Sequence, residues 1–169
     1  FRPWAEYPER IRVVPNGVDY EFFKPTENVR YSSIPASQHP SILFTGAMDY
    51  EANVDGVVWF CTTALPELQK RFPGLKMYIV GGNPSPTVKN LAADDIVVTG
   101  YVEDIRQYYL MADVCVVPLR LARGVQNKVL EAMAMSRPVV TTSRVLQGIN
   151  ASPDRDLLLA DDEHGFVDQ

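Results

Sequence analysis

Short apolar runs alternate with segments of helical periodicity along most of the chain. The apolar runs predict strands at Arg12–Val14, Ile42–Thr45, Lys76–Val80, Ile96–Thr99, Val114–Val117, Val139–Thr141 and Leu157–Leu159. Most of these runs are apolar throughout instead of alternating with polar residues. That pattern is typical of parallel strands that are covered on both faces of a sheet.

Helical periodicity between these runs predicts helices at Val54–Arg71, Pro86–Ala92, Asp104–Met111 and Val125–Met135, with a further short helix near Arg144–Gln147. No helix is expected after the last strand. The alternation of strand and helix indicates an α/β domain with a doubly wound parallel sheet.

Composition places the chain among ordinary globular proteins and excludes some partners. The 169 residues, which are 46% hydrophobic and 22% charged, are enough for one domain, residues 1–169, with a full core. The net charge of -5 and the lack of a basic stripe argue against a nucleic-acid partner. No apolar run is long enough to predict a transmembrane segment.

Cysteine and histidine are too sparse for a metal centre or a disulfide framework. Cys61 and Cys115 lie far apart, without CxxC spacing, and the chain holds only two histidines. We therefore expect both cysteines to be small core residues of a protein in a reducing, cytoplasmic compartment. Because the chain starts at Phe1 without methionine and stops at Gln169, we also expect it to be a fragment of a longer polypeptide.

Glycines follow several predicted strands and indicate a ligand site. Gly46, Gly81, Gly82 and Gly100 stand at carboxyl ends of strands, where doubly wound sheets bind ligands. The GxGxxG, GxxxxGK[ST] and GxSxG motifs are absent, which argues against a dinucleotide-binding Rossmann domain, a P-loop NTPase and an α/β-hydrolase. The remaining candidate is Gly124, which is predicted at the start of a helix. The free amides of that helix could hold an anion such as a diphosphate.

The stretch RGVQNKVLEAMAMSRPVV carries two charges near the start of that helix. Helical spacing puts positions 124, 128, 131 and 135 on one face, so that Lys128 and Glu131 lie near the anion end. The Glu131 carboxylate could accept two ribose hydroxyls and the Lys128 ammonium could meet a phosphate. The spacing alone fits equally well a surface ion pair of about 0.5 kcal/mol.

Several stretches together resemble the C-terminal domain of family 4 glycosyltransferases of the GT-B fold. In chain order they are VVPNGVD from Val13, ILFTG ending at Gly46, YIVGG ending at Gly82, VTGYV from Val98, ADVCVVP from Ala112, KVLEAMA from Lys128 and PVV from Pro138. Three more, GAMDYEAN, PLRLARG and NKVLE, are most similar to bacterial sugar transferases associated with exopolysaccharide synthesis and PEP-CTERM protein export.

The resemblance implies a retaining transferase that moves a sugar from a nucleotide diphosphate donor without an essential metal or other cofactor. The partners that it implies are a nucleotide sugar, a saccharide or lipid-linked acceptor and an N-terminal acceptor domain that this chain lacks. The full-length protein is then expected in the cytoplasm, peripheral at the inner membrane, and the fragment alone should bind nucleotide but turn over little.

The resemblance also assigns roles to individual residues, by their positions in the matching stretches. The resemblance implies that Glu131 grips the ribose and that Gly124 and Val125 offer amides to the diphosphate or sugar. It also implies that the turn at 100–102 (Gly100, Tyr101 and Val102) meets the base, and that the loop at Gly46 passes close to the phosphates.

The sequence departs from the family pattern where the donor's sugar and phosphates would lie. Arg123 replaces the first glutamate of the family's E-x7-E motif, and Ala47 follows Gly46 where the family often has arginine, with no lysine through Gly56. We therefore predict Lys128 and Arg123 as catalytic residues that supply the missing positive charge. Lys128 is the phosphate partner, and Arg123 suits a bidentate phosphate or an acidic sugar.

Two alternatives stay open at this point. A sugar-nucleotide epimerase shares the GT-B architecture, and only an epimerase would change the donor without an acceptor. A non-catalytic, receiver-like interaction module would need acidic residues at the end of the first strand, whereas the pairs Asp94-Asp95 and Asp161-Asp162 are predicted in loops. Such a module would bind no nucleotide sugar.

Overall fold

A computed structural model describes residues 6–12, 14, 16–25 and 39–169 and places six parallel strands in one sheet. The strands are β1 (Ser41–Thr45), β2 (Lys76–Val80), β3 (Ile96–Gly100), β4 (Val114–Val117), β5 (Val139–Thr141) and β6 (Leu158–Leu159). They lie in the order β3-β2-β1-β4-β5-β6, and every pair is parallel.

Helices connect the strands and cover the sheet. They are α1 (Tyr20–Phe23), α2 (Glu51–Thr62), α3 (Ala64–Arg71), α4 (Pro86–Lys89), α5 (Arg106–Met111), α6 (Asn127–Ala134), α7 (Ser143–Leu146) and α8 (Glu163–Asp168), and a short 3-10 turn spans Pro8–Arg10. All five residues of β1 are buried although successive side chains point to opposite faces, so the sheet is covered on both sides.

The α/β class and the doubly wound parallel sheet predicted from the sequence are confirmed. Strand order reverses between β1 and β4, the two central strands, so the connections leave the sheet in opposite directions there. This switch point opens a crevice at the carboxyl ends of the strands, the usual place for a ligand in such sheets.

The helix predicted at Val54–Arg71 is two helices, because Pro66 lies near its middle. Proline has no N–H to donate to the carbonyl four residues back, at Thr62, and its ring crowds that carbonyl. At the end of the first helix the Thr63 hydroxyl donates to the Trp59 carbonyl over 2.8 Å. Helix α2 therefore ends at Thr62 and α3 begins at Ala64.

Both ends of the chain differ from the sequence expectation. No strand forms at Arg12 or Val14, and Val13 between them lies outside the described residues. A helix does follow the last strand: α8, which the Asp162 carboxylate caps by accepting from the Gly165 amide over 2.8 Å. Its Phe166 is buried in the core, with ring contacts to Trp59 and Phe60.

Both cysteines lie in the core as the sequence predicted. Cys61 and Cys115 are free and buried, and burial raises the pKa of each thiol to about 12. Each is therefore a protonated, apolar side chain at neutral pH. Across the described part of the chain, no helix combines the length and the apolar character needed to cross a membrane.

Candidate functional site

An open cleft of about 460 Å³ lies at the carboxyl ends of β1 and β2, facing the start of α6. It brings together Gly46, Gly81 and Gly82 from the strand ends with Lys128 and Glu131 from α6. The sequence predicted that the glycines share one rim of the sheet and that Lys128 and Glu131 lie near the anion end of a helix, and the fold places these five residues around one cavity. Further lining comes from Thr45, Ala47, Tyr50, Asn53, Val80, Ile105, Val125, Gln126 and Asn127.

The floor of the cleft depends on two glycines where loops cross. Gly46 has φ +152° and Gly81 has φ +151°, conformations that side-chain-bearing residues rarely adopt. A Cβ at Gly81 would stand 1.7 Å from the Gly46 carbonyl oxygen, and a Cβ at Gly46 would stand 2.9 Å from the Lys128 Nζ. Glycine at both positions thus lets the loops touch and leaves room for the lysine.

The Lys128 ammonium lies in this space without an ion-pair partner among the described residues. Its Nζ donates to Asn53 Oδ1 over 2.5 Å and stands 4.5 Å from the centre of the Phe44 ring. Burial lowers the pKa of Lys128 to about 7, although the Glu131 charge acts in the opposite direction. The amine is therefore about half protonated at neutral pH, and its charged form has lost water without gaining an ion pair among the described residues.

The Glu131 carboxylate is positioned by a hydrogen bond from a buried tyrosine. The Tyr109 hydroxyl donates to Glu131 Oε2 over 2.9 Å and lies 2.9 Å from Thr45 Oγ1. Burial, with the nearby Glu131 charge, raises the pKa of Tyr109 well above its usual value, so the phenol keeps its proton. One carboxylate oxygen of Glu131 is thus hydrogen-bonded to Tyr109, while Glu131 still lines the cleft.

Asn53 and Tyr109 are parts of the site that the sequence did not indicate. Asn53 is buried, and its amide bridges Lys128 to the Ala47 carbonyl, to which Nδ2 donates over 2.9 Å. Tyr109 is buried in α5, where the paired tyrosines of RQYYLM fit an ordinary packed helix. A buried asparagine or tyrosine hydroxyl needs a partner, but its identity depends on distant segments.

The start of α6 differs from the sequence prediction. The helix begins at Asn127 instead of Val125, and Gly124, at φ +67°, lies before it in the loop. The amide of Gly124 is therefore not one of the free amides at the helix start, although Val125 does line the cleft. At the other end of the face predicted for 124, 128, 131 and 135, Met135 is fully buried.

Arg123 is not part of this cleft. It is exposed and lines a neighbouring hollow, while its backbone carbonyl accepts from Gln126 Nε2 over 3.2 Å. The two cations predicted for the diphosphate, Lys128 and Arg123, are thus placed in adjacent cavities.

The turn predicted to meet the base lies beside the cleft without lining it. The Gly100 carbonyl accepts from the Gly81 amide over 3.1 Å, and Gly100 itself has φ +71°. Tyr101 is 82% exposed, and Val102 packs partly against the core. This turn is therefore available for contact at the edge of the sheet next to Gly81.

No group of three or more potential metal-ligating histidine, cysteine, aspartate or glutamate side chains occurs within the described ranges. The acidic pairs predicted in loops have local roles there. Asp95 pairs with Lys76 at 3.0 Å, and Asp161 accepts from the Ser143 amide over 2.9 Å.

A family model described as glycosyl transferases group 1 matches residues 39–169. Among curated proteins, a GDP-mannose-dependent alpha-(1-6)-phosphatidylinositol monomannoside mannosyltransferase of Mycobacterium tuberculosis is 28% identical over 147 residues, 77% of this chain and 37% of that protein. An uncharacterized 44.6 kDa protein in the cps region of Klebsiella pneumoniae is 24% identical over 136 residues, 75% of this chain and 35% of that protein. The chain thus spans little more than a third of these relatives.

Solved structures share the fold at low sequence identity. A sucrose-phosphate synthase from Thermosynechococcus elongatus superposes with a TM-score of 0.71 at 22% identity over 93% of this chain and 41% of that one. Anabaena Alr3699/HepE in complex with UDP and glucose superposes with a TM-score of 0.71 at 15% identity, over 95% of this chain and 46% of that one. The C-terminal domain of a Francisella tularensis glycosyl transferase group 1 family protein (LpcC) superposes with a TM-score of 0.61 at 21% identity, over 90% of this chain and 85% of that one.

Proposed function

This chain belongs to the glycosyl transferases group 1 family, and from that premise we propose that it is the donor-binding domain of a retaining, family 4-like transferase. The donor is a nucleotide diphosphate sugar and the acceptor is a saccharide or a lipid-linked saccharide. The interaction-module alternative loses its basis, because the family and the fold neighbours are those of sugar transferases.

One observation carries the proposal: a desolvated ammonium and a preorganised carboxylate line the same cleft at the topological switch point. The ammonium of Lys128 lacks a counter-ion, and a diphosphate supplies one. The free oxygen of Glu131 can accept from a ribose hydroxyl while the Tyr109 hydroxyl holds the other oxygen in place. The Lys128 ammonium thus matches the diphosphate of a nucleoside diphosphate, and the Glu131 carboxylate matches its ribose.

The proposed reaction transfers the sugar from one oxygen to another. The bond between the anomeric carbon and the β-phosphate oxygen breaks, the acceptor hydroxyl oxygen bonds to the same carbon, and the hydroxyl proton is released. Negative charge grows on the departing diphosphate. An adjacent Lys128 ammonium stabilises that charge, and the approach of the diphosphate in turn favours the protonated amine.

The setting of the reaction follows from the resemblance of the stretches GAMDYEAN, PLRLARG and NKVLE. We assign the full-length protein to bacterial exopolysaccharide synthesis, in the cytoplasm or at the inner membrane. The chain alone spans little more than a third of its relatives, so it should bind the donor with little turnover until an acceptor domain is supplied.

The test measures affinities for a nucleoside, its monophosphate and its diphosphate by calorimetry, after a screen of UDP, GDP and ADP has identified the base. In Lys128→Ala the loss of affinity should grow with phosphate number, because the ammonium contacts only the phosphates. In Glu131→Ala the loss should be about 1–3 kcal/mol for all three ligands, since each carries the ribose.

Thermal melting of both variants without ligand provides the control for folding. An equal loss of affinity for all three ligands in Lys128→Ala would show that the lysine merely neutralises Glu131. A fall in thermal stability without a loss of affinity in Glu131→Ala would make the glutamate structural. Failure of every nucleotide to bind would reject the proposed function as a whole.

A further inference from the structure

A second hollow, of about 390 Å³, adjoins the cleft described above. Its walls come from the start of α2, the loop after β4 and helix α7, with Tyr50, Glu51, Ala52, Leu121, Ala122, Arg123 and Arg144 as lining residues. Tyr50 also lines the first cleft, so one side chain separates the two cavities.

Two arginines give this hollow its charge, and they differ from the other described arginines. Neither the Arg123 nor the Arg144 guanidinium has a hydrogen bond, ion pair or aromatic ring partner among the described residues. The other described arginines all contact a carboxylate, a carbonyl or a ring: Arg10, Arg12, Arg71, Arg106, Arg120, Arg137 and Arg155. The unpartnered guanidiniums are therefore concentrated in one cavity.

The hollow lies next to the first cleft, on the side of β4 and β5. Its three segments follow β1, β4 and β5, which are adjacent in the sheet, whereas the first cleft lies over β1 and β2. In the proposed binding mode, a nucleotide whose diphosphate meets Lys128 extends its sugar past Tyr50, the residue common to both cavities, toward Arg123. The two cavities thus lie side by side at the carboxyl ends of the strands, separated by Tyr50.

We propose that this hollow binds a carboxylate on the transferred sugar, so that the donor is a nucleotide diphosphate hexuronate. The inference rests on the proposed function. Guanidinium groups match the planar, bidentate geometry of a carboxylate, and two of them outweigh the single opposing charge of Glu51 in the same wall. A neutral hexose would leave both guanidiniums without an ionic partner.

The experiment compares two donors that differ only at this group: UDP-glucose and UDP-glucuronate, or the corresponding pair on whichever base binds best. We expect the unaltered 169-residue chain to bind the hexuronate about tenfold more tightly. Arg123→Ala and Arg144→Ala should each abolish most of that preference while leaving affinity for the free nucleoside diphosphate unchanged. Glu51→Gln should increase the preference, because it removes the opposing charge.

Arg155→Ala is the matched control, since it removes an exposed arginine charge that does not line the hollow. It should leave the ratio of the two donor affinities unchanged. All of these side chains are exposed, so melting temperatures should stay close to that of the unaltered chain.

Equal binding of the two donors, or a preference that survives both arginine substitutions, would overturn this inference while leaving the proposed function intact if nucleoside diphosphate still binds. A phosphate on the acceptor is the other source of an oxyanion. If glycerol 3-phosphate binds the nucleotide-saturated chain only when Arg123 and Arg144 are present, and the hexuronate is not preferred, the hollow serves an acceptor and the inference is wrong. If no nucleotide binds, both proposals fail.

Discussion

Polar side chains on α5 and α6 show at the residue scale how the cleft is suited to a ligand. Tyr109 is satisfied by Glu131 and Thr45, and every buried side-chain nitrogen or oxygen among the described residues has a partner. Lys128 has a hydrogen-bond partner but forms no ion pair with any described residue. The difference is chemical: a hydroxyl needs only hydrogen bonds, whereas a desolvated cation also needs an anion.

Substitution of Tyr109 tests whether the glutamate is positioned by the tyrosine. Tyr109→Phe removes the hydroxyl and leaves the ring, so one Glu131 oxygen loses its donor and the carboxylate can rotate. We expect ribonucleotide affinity to fall by about 1–2 kcal/mol. The preference for the ribonucleotide over its 2′,3′-dideoxy analogue should shrink as well, as measured by calorimetry with both ligands.

The double variant Tyr109→Phe with Glu131→Ala separates positioning from packing. If the tyrosine acts through Glu131, the phenylalanine costs no further affinity once the glutamate is gone. An additive loss, or an unchanged dideoxy preference in the single variant, would contradict that role.

At the scale of elements, the site depends on how closely the loops after β1 and β2 approach each other. The Gly46 amide donates to the Val80 carbonyl over 3.0 Å, and the Met48 amide donates to the Gly82 carbonyl over 2.9 Å. These bonds extend the β1–β2 pairing beyond the strands and fix the loop that faces Lys128. Contact of this kind tolerates no side chain at Gly81.

Gly81→Ala is therefore expected to destabilise the fold by about 3 kcal/mol, because its Cβ clashes with a backbone carbonyl and its φ is unfavourable for alanine. Gly82→Ala is the matched control: its Cβ would meet nothing within 4 Å, and its φ is ordinary. Urea denaturation of both variants makes the comparison. Equal free energies of unfolding for the two would show that the crossing is less constrained than the structure indicates.

For the whole molecule, the charge on Lys128 makes stability depend on pH. Its pKa is about 7 in the folded chain against about 10.4 when unfolded, so the unfolded state binds more protons between these values. The stability contributed by this residue should therefore rise with pH from about 7 to about 10.4. Below pH 7 both states are protonated, and the full cost of burying the charge is present.

Lys128→Met should accordingly be more stable than the unaltered chain at pH 6, and this advantage should shrink toward pH 10. Lys128→Met also loses the hydrogen bond to Asn53, so the change of the stability difference with pH is diagnostic and its value at one pH is not. Urea denaturation of both proteins at pH 6, 8 and 10 provides the measurement. A difference in unfolding free energy that does not change with pH would show that the ammonium is not desolvated.

The sequence by itself determined the α/β class, all six strands of the sheet to within a residue and the position of several glycines at one rim. These features follow from local periodicity and from the rule that parallel strands end at the same edge. The motif resemblance pointed to the family that the comparisons then showed. Local pattern did not reveal α8, whose short polar stretch is stabilised by Phe166 in the core and by the cap at Asp162.

Tertiary structure alone decided the partners of the charged residues. Lys128 and Arg123 are close in sequence, yet the loop before α6 directs them into different cavities. Lys128 meets Asn53 from a segment 75 residues away, and Glu131 meets Tyr109 from 22 residues away. Sequence spacing specifies which residues share a helix face, but contacts between helices depend on how the whole sheet packs them, and so the lack of a counter-ion at Lys128 was visible only in the folded chain.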